Sequence, residues 1–253
     1  MNPISPLDFK LETIFNKKKE DVNKSSSDEH RGLERALLLL RLFKPSTLRI
    51  GAIETKPLQW VPMGGIISTG RTKEEYFSSS YKLNKEEIPQ LIDLWSVVNR
   101  INFSNCPSLE IAIRRFNFAH ERDNLEDRLI DIMIGFETLY LDDDKEITYK
   151  TSLRPAILIG KDLDLDERNK IYKIMKTAYE KRSKLVHSGK LENKVKISDP
   201  VNREFSMDGF IDVIKDYLSN SIKTFARLSA TYTHEQILYK IHESTLTTGI
   251  ALE

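Results

Sequence analysis

The stretch Tyr179-Glu-Lys-Arg182-Ser-Lys-Leu-Val-His187-Ser-Gly189 closes a long amphipathic segment. On a wheel turning about 100° per residue, Ile171, Ile174, Met175, Ala178, Leu185 and Val186 share one apolar stripe, with Arg182 in its middle. The pattern predicts a helix opened by the capping pair Asp164-x-x-Glu167 and stopped by Gly189. A permanently charged guanidinium on a core-facing stripe calls for a carboxylate, a phosphate or another acceptor opposite it. His187 stands in the last turn, separated from Arg182 by four residues. Arg182 and His187 are therefore the pair to explain.

The chain around this segment holds 253 residues, enough for a substantial core. Lys and Arg number 39 and Asp and Glu 38, a net charge of +1, which argues against a broad electrostatic surface for nucleic acid but not against a small cationic pocket. Cys106 is the only cysteine, so no intramolecular disulfide and no cysteine metal site can form. No apolar run reaches the roughly 18 residues of a membrane span, and no signal-peptide core stands at the N-terminus. The expectation is a soluble, cytoplasmic protein without membrane contact.

Residues 1–29 are polar and charged and read as a flexible N-terminal arm, with Leu7, Phe9, Leu11, Ile14 and Phe15 available for docking. Asp28 reads as an N-cap for a helix over 31–43 that Pro45 ends. Residues 47–53 alternate like a strand, and 58–61 and 66–68 flank Pro62-Met-Gly-Gly65 as a small hairpin. Asn84-x-x-Glu87 opens a helix to about Ile101, with Ile88, Leu91, Ile92, Trp95 and Val98 on one face. Pro107 opens the next, with Leu109, Ile111, Ile113, Phe116 and Phe118 as packing candidates.

Asn124-x-x-Asp127 opens a helix to Leu141 whose main stripe is Leu125, Leu129, Ile132, Met133, Phe136 and Leu139. Ile130, Ile134 and Leu141 form a second apolar patch that also contains Glu137. A helix apolar on two sides is central or carries a subunit interface. A shorter helix over 147–159 is expected to kink at Pro155 and end at Gly160. Residues 188–204 read as a polar connection, 206–230 as a last long helix through Phe210, Ile214, Leu218, Ile222 and Phe225, and 231–253 as a helical tail. The fold class is mainly α: an antiparallel helical bundle over 106–230, with a helix, a small β-hairpin and a helix in an N-terminal extension over 30–105.

Other chemistry is weak. Gly65-Ile-Ile-Ser-Thr-Gly70-Arg71-Thr72 approaches the phosphate-cradling pattern G-x-x-x-x-G-K-[ST], but Arg71 replaces the lysine and no parallel α/β sheet surrounds it. Asp142-Asp-Asp144 lacks the alternating ligands and glycine of a calcium loop and reads as a solvated turn. His30, His120, His234 and His242 have no zinc spacing, and no Gly-x-Ser-x-Gly elbow is present. Neither a metal nor a cofactor is expected, and no motif for reading DNA sequence is present. In an ideal helix Arg182 and His187 diverge by about 140°. Convergence needs a distorted last turn or a second subunit. The competing reading pairs Arg182 with a buried carboxylate such as Glu137 and leaves His187 to close the helix.

Arg182-x-x-x-x-His187 at a helix end, preceded by Asp127-Arg-Leu-Ile-Asp-Ile-Met-Ile-Gly-Phe-Glu-Thr-Leu-Tyr140, resembles the HEPN superfamily. Tyr149-Lys-Thr-Ser-Leu-Arg-Pro-Ala-Ile-Leu-Ile-Gly160, with Lys181-Arg-Ser-Lys-Leu-Val-His187, resembles its Apea-like branch. The likeness covers residues 110–228. It implies a HEPN-like bundle that forms a homodimer and acts as a metal-independent endoribonuclease on RNA, in antiviral defence, abortive infection or a toxin–antitoxin response. An antitoxin or defence-system protein is the partner it implies. Arg182 and His187 take the catalytic roles, supported by Glu137 and Ser183; Ser183 stands where active relatives often carry Asn, Asp or His. The alternative is a non-catalytic HEPN module that binds RNA, a nucleotide or a partner protein, a reading that the near-neutral charge favours.

Overall fold

The computed structural model describes residues 26–46, 48, 52–55, 67–70, 81–198 and 201–246. Among the described residues the chain forms eight α-helices and two antiparallel β-hairpins, the mainly α class that the periodicities predict. Helix α1 (Ser26–Phe43) leads to strands β1 (Ala52–Thr55) and β2 (Ile67–Gly70), paired from Ala52↔Gly70 to Thr55↔Ile67. The helix starts earlier than the sequence suggests, so Asp28 lies inside its first turn. A hairpin is present, but it pairs 52–55 with 67–70, whereas the sequence suggested 58–61 with 66–68. The 58–61 segment, the Pro62–Gly65 turn and the docking residues of the arm lie outside the described residues. The end of the Gly65–Gly70 stretch is strand β2.

Helix α2 (Ile88–Asn99) follows a 3-10 turn at Lys85–Glu87, where the Glu87 carboxylate accepts from the Asn84 N–H at 2.8 Å. It buries Leu94 and Val98 and leaves Ile88, Ile92 and Trp95 exposed. Its partners α1 and α7 (Met207–Leu228) lie against the Leu94 side, so the apolar face chosen from the wheel is corrected. Helix α3 (Pro107–Glu121) shows the same correction. Leu109, Ala112, Phe116 and Ala119, spaced by three and four, are buried, while Ile111 and Phe118 are exposed.

Helix α4 (Leu125–Tyr140) is the centre. The Asn124 side chain accepts from the Asp127 N–H at 2.9 Å, which supplies the predicted cap. Leu129, Ile132, Met133, Phe136 and Leu139 are fully buried. The helix contacts α3, α5 (Ile147–Leu158), α6 (Leu165–Ser188) and α7, which bury the main stripe from Leu129 to Leu139 and leave Ile130, Ile134 and Leu141 of the second patch half-buried. Helix α7 opens at Ser206, whose hydroxyl accepts from the Gly209 N–H. It packs closely at Gly135, where an added Cβ would meet Leu218 Cδ2 at 2.8 Å.

The 188–204 connection is not simply polar. Strands β3 (Lys194–Ile197) and β4 (Arg203–Ser206) pair antiparallel and bury Val195, Ile197 and Phe205 against α6 and α7. The alternation Lys-Val-Lys-Ile is the reason: one face is apolar and the other is charged. Nor is Asp142–Asp144 a bare solvated turn. Asp142 receives Lys150 Nζ at 2.7 Å and Arg154 Nη2 at 3.0 Å, and Asp143 also meets Lys150. These cations hold the Asp142 carboxyl far below its usual range.

The flanking helices share the bundle core. Leu38, Leu39 and Leu42 of α1 join it, and Arg41, itself buried, donates to Asn117 Oδ1 at 2.9 Å and reaches Glu121. Helix α8 (His234–Leu246) buries Ile237, Leu238 and Ile241, and the His234 N–H donates to the Asn105 carbonyl at 2.9 Å. Residues 247–253 lie outside the described residues. Among the described residues no helix is long and apolar enough to cross a membrane.

The close approach of α4 and α7 yields a stability prediction. Gly135→Val forces a branched side chain into Leu218 and is expected to destabilise by about 1–3 kcal/mol. A urea midpoint unchanged from the parent would refute that contact.

Candidate functional site

Helix α6 owes its length to both ends. The Asp164 side chain accepts from the Glu167 N–H at 2.9 Å. At the other end Gly189 takes φ of 66°, a left-handed conformation that suits glycine, and its N–H donates to the Leu185 carbonyl at 2.7 Å. Ile171, Ile174, Met175, Ala178 and Leu185 are buried as the stripe predicts, but Val186 is exposed. The covered stripe is thus narrower than the wheel implies.

Arg182 lies within this stripe and is half-buried. Its Nη2 donates to Glu137 Oε2 of α4 at 3.4 Å, with the side chains 25% and 20% exposed. That distance is long for a charge-assisted hydrogen bond, which normally spans about 2.7–2.9 Å. Arg182 Nε is buried and has no hydrogen-bond partner among the described residues. Burial pushes the Glu137 carboxyl above its usual range and the Arg182 charge opposes that rise. The pair the stripe called for therefore exists, and it is loose.

A second ion pair on α4 shows what a closed one looks like. The Asp131 side chain is 3% exposed and receives Arg115 Nη1 at 2.9 Å and Arg122 Nε at 3.0 Å. Both guanidinium groups also lie over the Phe118 ring. This cluster ties α3 to α4. Arg182, by contrast, leaves donor capacity unused.

His187 is exposed and makes no hydrogen bond among the described residues. Ser183, beside Arg182, is half-buried. The α-helix continues through both Arg182 and His187 to Ser188, so the last turn is not distorted. The two candidate side chains therefore leave the helix about 140° apart. Sequence and structure agree on Arg182 beside Glu137; His187 is not brought to them within one chain. Two neighbouring cations share one carboxylate: Lys181 and Lys184 grip Glu192 at 2.6 and 2.5 Å and hold its carboxyl down at about 2.

Among the described residues no group of three or more His, Cys, Asp or Glu side chains could hold a metal ion. The arrangement offers an arginine with spare donors and an exposed imidazole, a set suited to an anion and a proton transfer. Sequence reasoning missed Asp131 and Glu192. An acid between Ile130 and Ile132 was a signal for the first. The second pairs across the Gly189 turn, and no periodicity reports it. No family model, curated protein or solved structure matches the chain.

The Glu137–Arg182 pair has a testable sign. A carboxyl raised in the folded state contributes stability below its unfolded pKa and loses it as pH rises through the folded value. Removing Arg182 takes away the opposing cation. Arg182→Ala is expected to move the Glu137 titration still higher and to steepen the loss of stability with rising pH. Carboxyl carbon-13 NMR, with urea midpoints from about pH 4 to 8, reads both. A Glu137 titration that stays put or falls would contradict the pairing.

Proposed function

We propose that the end of α6 is the active centre of a metal-independent endoribonuclease of HEPN type, working as a homodimer on RNA. The observation that carries this reading is the loose 3.4 Å pair between Arg182 and Glu137, which leaves a guanidinium positioned but not saturated. The undistorted helix supports the second copy: Arg182 and His187 of one chain diverge, so one phosphate would be met by groups from two chains. Val186, exposed beside His187, supplies apolar surface that such a copy would cover.

In this reading His187 takes the proton of a ribose 2′-OH, and the oxygen attacks the adjacent phosphorus. The bond from phosphorus to the 5′-oxygen breaks, and a proton returns to that leaving oxygen. The products are a 2′,3′-cyclic phosphate and a 5′-OH. Arg182 holds the non-bridging oxygens and offsets charge that grows on the pentacoordinate phosphorus. Glu137 is a positioning residue that aims the guanidinium. Ser183 adds a hydroxyl beside Arg182. The Arg-x-x-x-x-His resemblance sets this chemistry in antiviral defence, abortive infection or a toxin–antitoxin response, with an antitoxin or defence-system protein as partner.

The test is incubation of the purified protein with mixed RNAs and a chelator, followed by end-group analysis. The parent is expected to leave cyclic phosphate ends. His187→Ala, at an exposed position, should lower cleavage by at least about 10²-fold without altering melting or oligomeric state. Equal cleavage by parent and variant would overturn the catalytic role. Binding of RNA without cleavage by either would favour the non-catalytic module.

A further inference from the structure

A cleft of about 690 Å³ opens between the start of α2, the end of α5 and the last turns of α7. Pockets for small molecules commonly span roughly 300–1,000 Å³. The cleft reaches Lys161 and Asp162, just before α6 begins, whereas Arg182 lies about 25 Å further along that helix at 1.5 Å per residue. It is therefore separate from the α6 end.

The lining divides by chemistry. Phe43, Pro89, Leu94 and Leu158 supply an apolar part. Lys161, Lys223 and Arg227 supply cations, with Asn220, Thr224 and Gln90 among the neutral polar groups beside them. The acids are Asp93 and Asp162. Asp93 is engaged at the rim, where it receives Arg227 Nη2 at 3.1 Å with the two side chains 65% and 51% exposed. Asp162 is exposed.

Lys223 is the unusual member. It is half-buried and has no ion pair or hydrogen bond among the described residues. Burial first, and then the Arg227 charge, push its ammonium below the usual lysine range, with Asp216 opposing. A cation stripped of water beside another cation is costly unless an anion meets it.

We propose that this cleft binds a small organic phosphate, with its phosphate on Lys223 and a ring or other apolar body on Phe43 and Leu94. The lining holds three cations and two acids, and Asp93 is already engaged by Arg227, so an anion is the ligand its charge favours. Lysine serves as a point-charge partner for phosphate, and the Asn220 and Gln90 amides can donate to its remaining oxygens. The apolar part makes inorganic phosphate alone a poor fit.

Calorimetry on the full chain with phenyl phosphate, inorganic phosphate and phenol tests the assignment. Phenyl phosphate is expected to bind one per chain, with phosphate and phenol each at least about tenfold weaker. Lys223→Gln should weaken phenyl phosphate by about tenfold or more, the exposed-site variant Lys161→Gln by less, and Lys223→Arg only slightly. Amide NMR shifts at Thr224 and Asn220 locate the ligand on the parent protein if Lys223→Gln does not fold. His187→Ala should bind as the parent does, whatever becomes of RNA cleavage. The proposal is overturned if phenyl phosphate does not bind, if phenol binds equally well, if a folded Lys223→Gln binds as the parent, or if the shifts map to the end of α6.

Discussion

Burial of α4 on most of its circumference is the constraint on which the rest depends. An amphipathic helix usually offers one apolar stripe, but α4 is covered by α3, α5, α6 and α7. Its fully buried Leu129, Ile132, Met133 and Phe136 contribute about 1.5–3 kcal/mol each as transfer from water. Gly135 keeps the gap to Leu218 small. Such enclosure leaves the polar groups of α4 little water, so each needs a partner. Tyr140 donates to Ser221 Oγ at 2.8 Å, Thr138 to the Ile134 carbonyl at 2.7 Å, and the two carboxylates draw arginines from α3 and α6.

These charges are satisfied to different degrees. Asp131 is closed by two guanidinium groups, and Asp142 by a lysine and an arginine. Asp131 is buried, so breaking its pairs would leave an uncompensated buried charge, which makes that cluster structural. Arg182 instead has one long contact and an idle Nε, and Lys223 has no ion pair or hydrogen bond among the described residues. Both lie where solvent or a ligand can reach. Incomplete satisfaction at an accessible place is what separates these two cations from the closed pairs around them.

Much of the helical framework was legible in the sequence because the signals are local. Asn124, Asp164 and Ser206 cap within three residues, and Gly189 stops α6 at its own position. The Glu137 partner of Arg182 was legible too, since a charge on an apolar stripe demands one. The exposed faces of α2 and α3 were not. A wheel shows that Ile88, Ile92, Trp95 and Val98 align, but not that neighbours will cover Val98 with Leu94 and leave the other three exposed. The β3–β4 hairpin hid because strands of four residues with alternating lysines look like polar loop. The cleft at Lys223 joins three segments distant in the chain, so no spacing announces it.

The central claim is that Arg182 of one copy and His187 of another act on one phosphate. Mixing dissociated Arg182→Ala and His187→Ala proteins in equal amounts and letting them reassociate tests it most directly. About half of the dimers are then mixed, and each holds one Arg182–His187 centre. The account predicts that each variant alone is silent and that the mixture recovers about a quarter of the parent RNA cleavage. A mixture as silent as its components, beside an active parent, would contradict a shared centre.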